Sequence, residues 1–140
     1  MPVMQKGVAA FSDHLPKVIS PTAHAIADYV ALGGFIVGAA LLWNRHRRAA
    51  IASLACAGGE VANILLTDFP GGVTDVVSFP THARIDMGLA AATSALPSFL
   101  GFADEPEAKF FRAIGLGITV AGAITDFRPR RRRPFIRKSA

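Results

Sequence analysis

The sequence predicts an all-α integral membrane protein, a four-transmembrane-helix up-down bundle built from two duplicated helical hairpins. Three observations carry this. Hydrophobic residues make up 51% of the 140 residues and charged residues only 18%, below the roughly 25% charge of soluble domains. The charges gather at the ends of four long apolar runs. Polar motifs recur at one fixed offset of 58 residues. Together these exclude a disordered chain and a coiled coil, and they argue against a water-soluble enzyme. The single cysteine, Cys56, excludes an intrachain disulfide framework and a multi-cysteine metal site. Within an apolar span it reads as a small core residue.

Residues 1–20 lack a long apolar core, so they are not a secretory signal. Val8, Phe11, Leu15, Val18 and Ile19 line one side of this arm, which reads as an interfacial helix or a loosely packed segment, with Pro16 limiting its regularity. The membrane domain covers residues 21–127. Its first span runs from Thr22 to Trp43, about 33 Å of helix, enough to cross a bilayer. Asn44 to Arg48 stops it, and Trp43 fits an interfacial anchor. The second runs from Ala49 to Thr67 and is ended by Asp68-Phe69-Pro70-Gly71-Gly72. The third runs from His82 to Phe102, with Pro97 as an expected kink. The fourth runs from Phe110 to Phe127. Short connections favour the up-down topology. Gly34 and Gly38, with other small residues, suit close helix packing inside the bundle or, alternatively, a seam between copies in a homo-oligomer.

The tail, residues 128–140, contains seven cations between Arg128 and Lys138. Without it the chain is slightly acidic, so the net charge of +5 belongs to the tail. The tail reads as a cytoplasmic anchor on anionic lipid rather than a nucleic-acid-binding segment, since only Phe135 interleaves its charges. Ten Lys and Arg residues fall on the side of the N-terminus, the central loop and the tail, against five on the other side. Both termini are therefore expected to be cytoplasmic.

The duplication locates the chemistry. His24 and Asp28 recur as His82 and Asp86. Thr67-Asp68-Phe69 recurs as Thr125-Asp126-Phe127, and Val18-Ile19-Ser20 matches Val76-Val77-Ser78. The repeats cover residues 18–69 and 76–127. Two hairpins pointing the same way place all these motifs at one membrane face, related by an axis along the membrane normal. The loop from Phe69 to Thr81 would join the halves over the site. Histidine and aspartate at i and i+4 share a helix face. His24, Asp28, Asp68, His82, Asp86 and Asp126 therefore form a candidate metal site with the ligand count of a carboxylate-bridged dinuclear centre. Carboxylates concentrated at the edge of a low-dielectric slab need a cation or protons. Imidazole and carboxylate suit zinc, iron or manganese.

Two other readings compete. Arg84 and Arg128 would neutralise the aspartates in a purely structural polar cap. Haem on His24 and His82 is disfavoured, because the aspartates then lack a role. Glu60 has no counterpart at the offset, since residue 118 is Ile. It is either a proton relay to the cluster or a neutral, hydrogen-bonded core group. His14 and His46 read as solvated surface histidines. The function classes are a metalloenzyme acting on an amphiphilic substrate, a metal or proton transport module, and a non-catalytic protein whose metal or polar cluster pins the hairpins. Six ligands exceed the roughly four of a closed structural site, which favours the metalloenzyme.

Overall fold

The computed structural model describes residues 14–128. Most of the arm that was expected to carry an interfacial helix, and the tail expected to meet anionic lipid, lie outside the described residues. The chain is mostly helical. Helix α1 covers Pro21–Leu42 and α2 covers Arg47–Leu66. Two short strands follow, β1 at Thr67–Asp68 and β2 at Val77–Ser78; then come α3 at Phe79–Phe99 and α4 at Ala108–Ala123. Helices α1 and α2 are long and apolar enough to cross a membrane, with mean hydropathy 1.9 and 1.6. Helix α4 has 16 residues, about 24 Å. It ends earlier than the sequence pattern suggested.

Local chemistry sets the helix ends. Ser20 caps α1 by accepting a hydrogen bond from Ala23 N at 3.2 Å, with Pro21 in the first turn. Ser78 caps α3 in the same way from Thr81 N at 3.4 Å, with Pro80 in its first turn. Both serines are extended, the usual N-cap geometry. Pro97 lies in the last turn of α3, and its carbonyl accepts from Phe102 N at 2.8 Å. The turn beyond it uses Gly101 at φ +70°, a conformation that suits glycine. Arg48 Nη1 donates to Leu100 O at 2.7 Å and closes this end.

Helix α1 packs on α2 and α3 on α4, while α2 meets α3 and α1 meets α4. Phe35, Phe102 and Phe111 fill the core against alanines of α2. Gly38 makes room for the ring of Phe110, and a side chain at Gly34 would meet Ile114. This glycine pair therefore serves the α1–α4 contact within the chain. Large apolar residues remain exposed on the outer faces, among them Val30, Val37, Leu54, Phe99 and Leu116.

The strands are the departure from an all-α reading. Thr67 and Asp68 pair in parallel with Val77 and Ser78. Ile19 forms an isolated parallel bridge with Thr125, and Asp126 N donates to Ile19 O at 3.1 Å. The extended segment before α3 thus lies beside the end of α2, and the one before α1 beside the end of α4. Each pairing brings a helix start and a helix end to the same face of the molecule.

Candidate metal centre

His24 and His82 sit in the first turns of α1 and α3, with Asp28 and Asp86 one turn further in. All four are buried, with 0% to 4% of their surface exposed. The histidine ring centroids are 5.4 Å apart. His24 Nε2 lies 3.1 Å from Asp86 Oδ2 and 3.5 Å from Asp28 Oδ1. His82 Nε2 lies 3.1 Å from Asp86 Oδ2 and 3.2 Å from Asp28 Oδ2. One ligand atom from each of the four residues falls within 4.8 Å of all the others, so this buried group could hold a metal ion.

The hydrogen bonds around the rings fix which nitrogen faces inward. Thr125 Oγ1 donates its one proton to Ala121 O at 2.6 Å. Thr67 Oγ1 donates to Asn63 O at 2.6 Å. Each hydroxyl can then only accept from the histidine beside it. His24 Nδ1 is 2.9 Å from Thr125 Oγ1, and His82 Nδ1 is 2.9 Å from Thr67 Oγ1. Both rings therefore carry a proton on Nδ1, and in a neutral ring Nε2 is a lone pair aimed at the carboxylates. Backing one ring nitrogen in this way is how proteins orient metal-ligating histidines.

His82 Nε2 and Asp28 Oδ2 lie 3.2 Å apart, yet neither has a well-aligned hydrogen bond among the described residues. They are close but misaligned. A direct hydrogen bond requires alignment, and atoms at this spacing could instead share a cation. Asp86 is held more firmly, since Asn63 Nδ2 donates to its Oδ1 at 2.6 Å. Three phenylalanines cover the histidines. Phe69 lies 4.9 Å from the His82 ring, Phe127 lies 5.0 Å from the His24 ring, and Phe79 contacts both. Tyr29 donates to Gly71 O at 2.9 Å and ties the central loop to α1 beside them.

Of the six residues singled out from sequence, the structure brings together His24, Asp28, His82 and Asp86. It leaves Asp68 exposed and Asp126 half-exposed. The reason lies in the backbone. The sequence pattern places both aspartates at helix ends, but α2 stops at Leu66 and Thr67 is extended. In an extended segment successive side chains point to opposite sides. Thr67 and Phe69 turn inward, and Asp68 turns out; Thr125, Asp126 and Phe127 follow the same order. The inward residues are the threonines and phenylalanines, which recur with the aspartates at the same offset in the sequence. Arg128 pairs with Asp126 at 3.1 Å, and Arg84 is exposed. The ion pairs of Asp28 and Asp86 are with the two histidines.

Glu60 is buried, with 1% of its surface exposed, and neither carboxylate oxygen has a hydrogen-bond partner among the described residues. Cys56 is buried, with Thr93 Oγ1 3.5 Å from its sulfur. His46 is not simply solvated. Its Nδ1 accepts from Ala49 N at 3.1 Å, and its Nε2 meets Glu105 at 2.9 Å. Trp43 is partly exposed, with the Arg47 guanidinium 3.9 Å over its ring. No protein-family model, curated protein or solved structure matches the chain.

Proposed function

We propose that this chain is a multi-pass membrane protein whose four helices form a bundle of two related hairpins, locked at one membrane face by a single divalent metal. The observation that carries the metal is the convergence of two buried Nε2 atoms and two carboxylates, with His82 Nε2 and Asp28 Oδ2 left without a hydrogen-bond partner among the described residues. Two neutral imidazoles and two carboxylates balance a divalent charge. A four-ligand N₂O₂ set suits zinc, with iron or manganese as alternatives. Each hairpin supplies one histidine and one aspartate, so the ion ties the pair together.

The membrane reading is supported by two spanning-length helices and by the exposed apolar faces, which in water would be an aggregation surface. The duplication is supported by matching details at the 58-residue offset: the Ser20 and Ser78 caps, the Thr125 and Thr67 contacts, and the reciprocal pairing of Ile19 with Thr125 and Val77 with Thr67. By the distribution of cations, the metal face is cytoplasmic with both termini, and the basic tail rests on anionic lipid. The metal site is complete within one chain and needs no second copy.

A structural role fits better than a dinuclear enzyme. The dinuclear arrangement needs Asp68 and Asp126, which stand outside the cluster. An enzyme needs an open coordination position, and here the ligands are buried under three aromatic rings. The metal-free competitor has two imidazoliums neutralising two aspartates. Metal analysis of the detergent-purified protein separates them. One equivalent in the wild type and none in the His24→Ala, His82→Ala double variant is expected. Equal content in both would overturn the assignment.

A further inference from the structure

We propose that the divalent ion enters through an acidic cavity beside β1, where Asp68 and Asp75 draw the cation in and Phe69 closes the way to His82. The inference rests on the metal reading above and concerns how that site is filled. The cavity has a volume of about 290 Å³, and Thr67, Asp68, Phe69 and Asp75 are in its lining. Two of these touch His82. Thr67 Oγ1 is 2.9 Å from its Nδ1, and the Phe69 ring lies 4.9 Å from the imidazole. One layer of side chains thus separates the cavity from a fully buried histidine whose Nε2 has no hydrogen-bond partner among the described residues. Phe69 is half-buried, whereas Asp68 and Asp75 are exposed. A side chain at Gly71 would meet the Phe69 ring at 3.0 Å, so the glycine there leaves the ring room to turn aside.

The molecule contains its own control. A second cavity, of about 310 Å³, lies beside the equivalent pairing of Ile19 with Thr125, and its lining includes Lys17, Asp126 and Arg128. The backbone arrangement repeats, but the charge does not. Asp75 and Lys17 stand 58 residues apart, so one duplicated position carries opposite charges in the two cavities. The first cavity has two carboxylates in its lining and no cation. The second has two cations and one carboxylate, and Arg128 pairs with that carboxylate at 3.1 Å. A cleft lined by one sign of charge concentrates the opposite ion and speeds its arrival. A cation is therefore favoured in the cavity beside His82 and repelled from the one beside Ile19. Asp68 and Asp75 act before binding and are not ligands of the bound ion.

The test follows zinc uptake by the full chain in lipid nanodiscs after the metal has been stripped with a chelator. Stopped flow with a chromophoric zinc indicator gives the rate, and metal analysis at saturating zinc gives the end point. At low ionic strength the Asp68→Asn, Asp75→Asn double variant should load about 10-fold more slowly than the wild type, and Asp75→Lys should also load slowly. The gap should close at high salt, where exposed charges are screened. Every variant should still reach one zinc per chain, and Asp126→Asn should load at the wild-type rate. Phe69→Ala should speed extraction of bound zinc by a chelator; if that variant does not fold, the exposed aspartates decide alone. Equal uptake rates in the wild type and the double variant overturn the proposal. So does equal slowing by Asp126→Asn, or a double variant that holds no zinc at saturation. A wild type that holds no zinc at saturation overturns the metal reading itself, and this end point is scored separately from the rates.

Discussion

The molecule places histidines beside carboxylates at two opposite ends, and the two ends differ in which ring nitrogen is occupied. At the turn between α1 and α2, His46 Nδ1 accepts a helix N–H, so Nε2 must bear the proton that it gives to Glu105. Every polar atom of that ring is satisfied by the chain itself. At the other end, threonine hydroxyls spend their protons on the preceding helical turn and accept from Nδ1. Nε2 of His24 and His82 then turns toward carboxylates. The first arrangement is a helix cap with a surface ion pair. The second is a buried group that could hold a metal ion. Proximity of histidine to carboxylate does not distinguish them, whereas the partner of the far nitrogen does.

The largest test of this contrast is Asp86→Ala. It strands both histidines and Asn63, and removing one partner of a buried ionic cluster costs about 3–5 kcal/mol. A fall in thermal stability of that order is expected, with loss of the metal. The replacements Thr67→Val and Thr125→Val remove the acceptors of Nδ1 while keeping side-chain shape. Metal affinity should fall about 10–100-fold for either, read by competition with a chelator. Unchanged affinity would break the link between the far nitrogen and ligation. His46→Ala should cost about 0.5–2 kcal/mol through the lost cap and leave metal affinity unaltered. The smallest effect is expected for Asp68→Asn and Asp126→Asn, which should retain the full metal content. Loss of metal from either would return them to the ligand set.

Much of this was legible in the sequence. The helix positions follow from apolar runs bounded by charge, proline and glycine. The i, i+4 spacing of His24 with Asp28 and of His82 with Asp86 put each pair on one helix face. The position of the loop near the histidines follows from the same pattern, and in the structure Phe69 lies on His82 while Tyr29 holds Gly71. What could not be read was the point where helix gives way to extended chain. A two-residue strand at Thr67–Asp68 depends on a partner ten residues away, and no local pattern announces it. That change reversed the roles within the threonine-aspartate-phenylalanine motif. The role of His46 was hidden for a similar reason. Glu105, its partner, lies 59 residues along the chain, and only the packing of the two hairpins brings them together.

The most direct test of the central claim is X-ray absorption at the edge of the metal bound to the purified protein. The account predicts a four-coordinate shell of nitrogen and oxygen, with two imidazoles at about 2.0–2.1 Å for zinc and no bound water. A six-coordinate, water-rich shell, or one lacking imidazole, would contradict it.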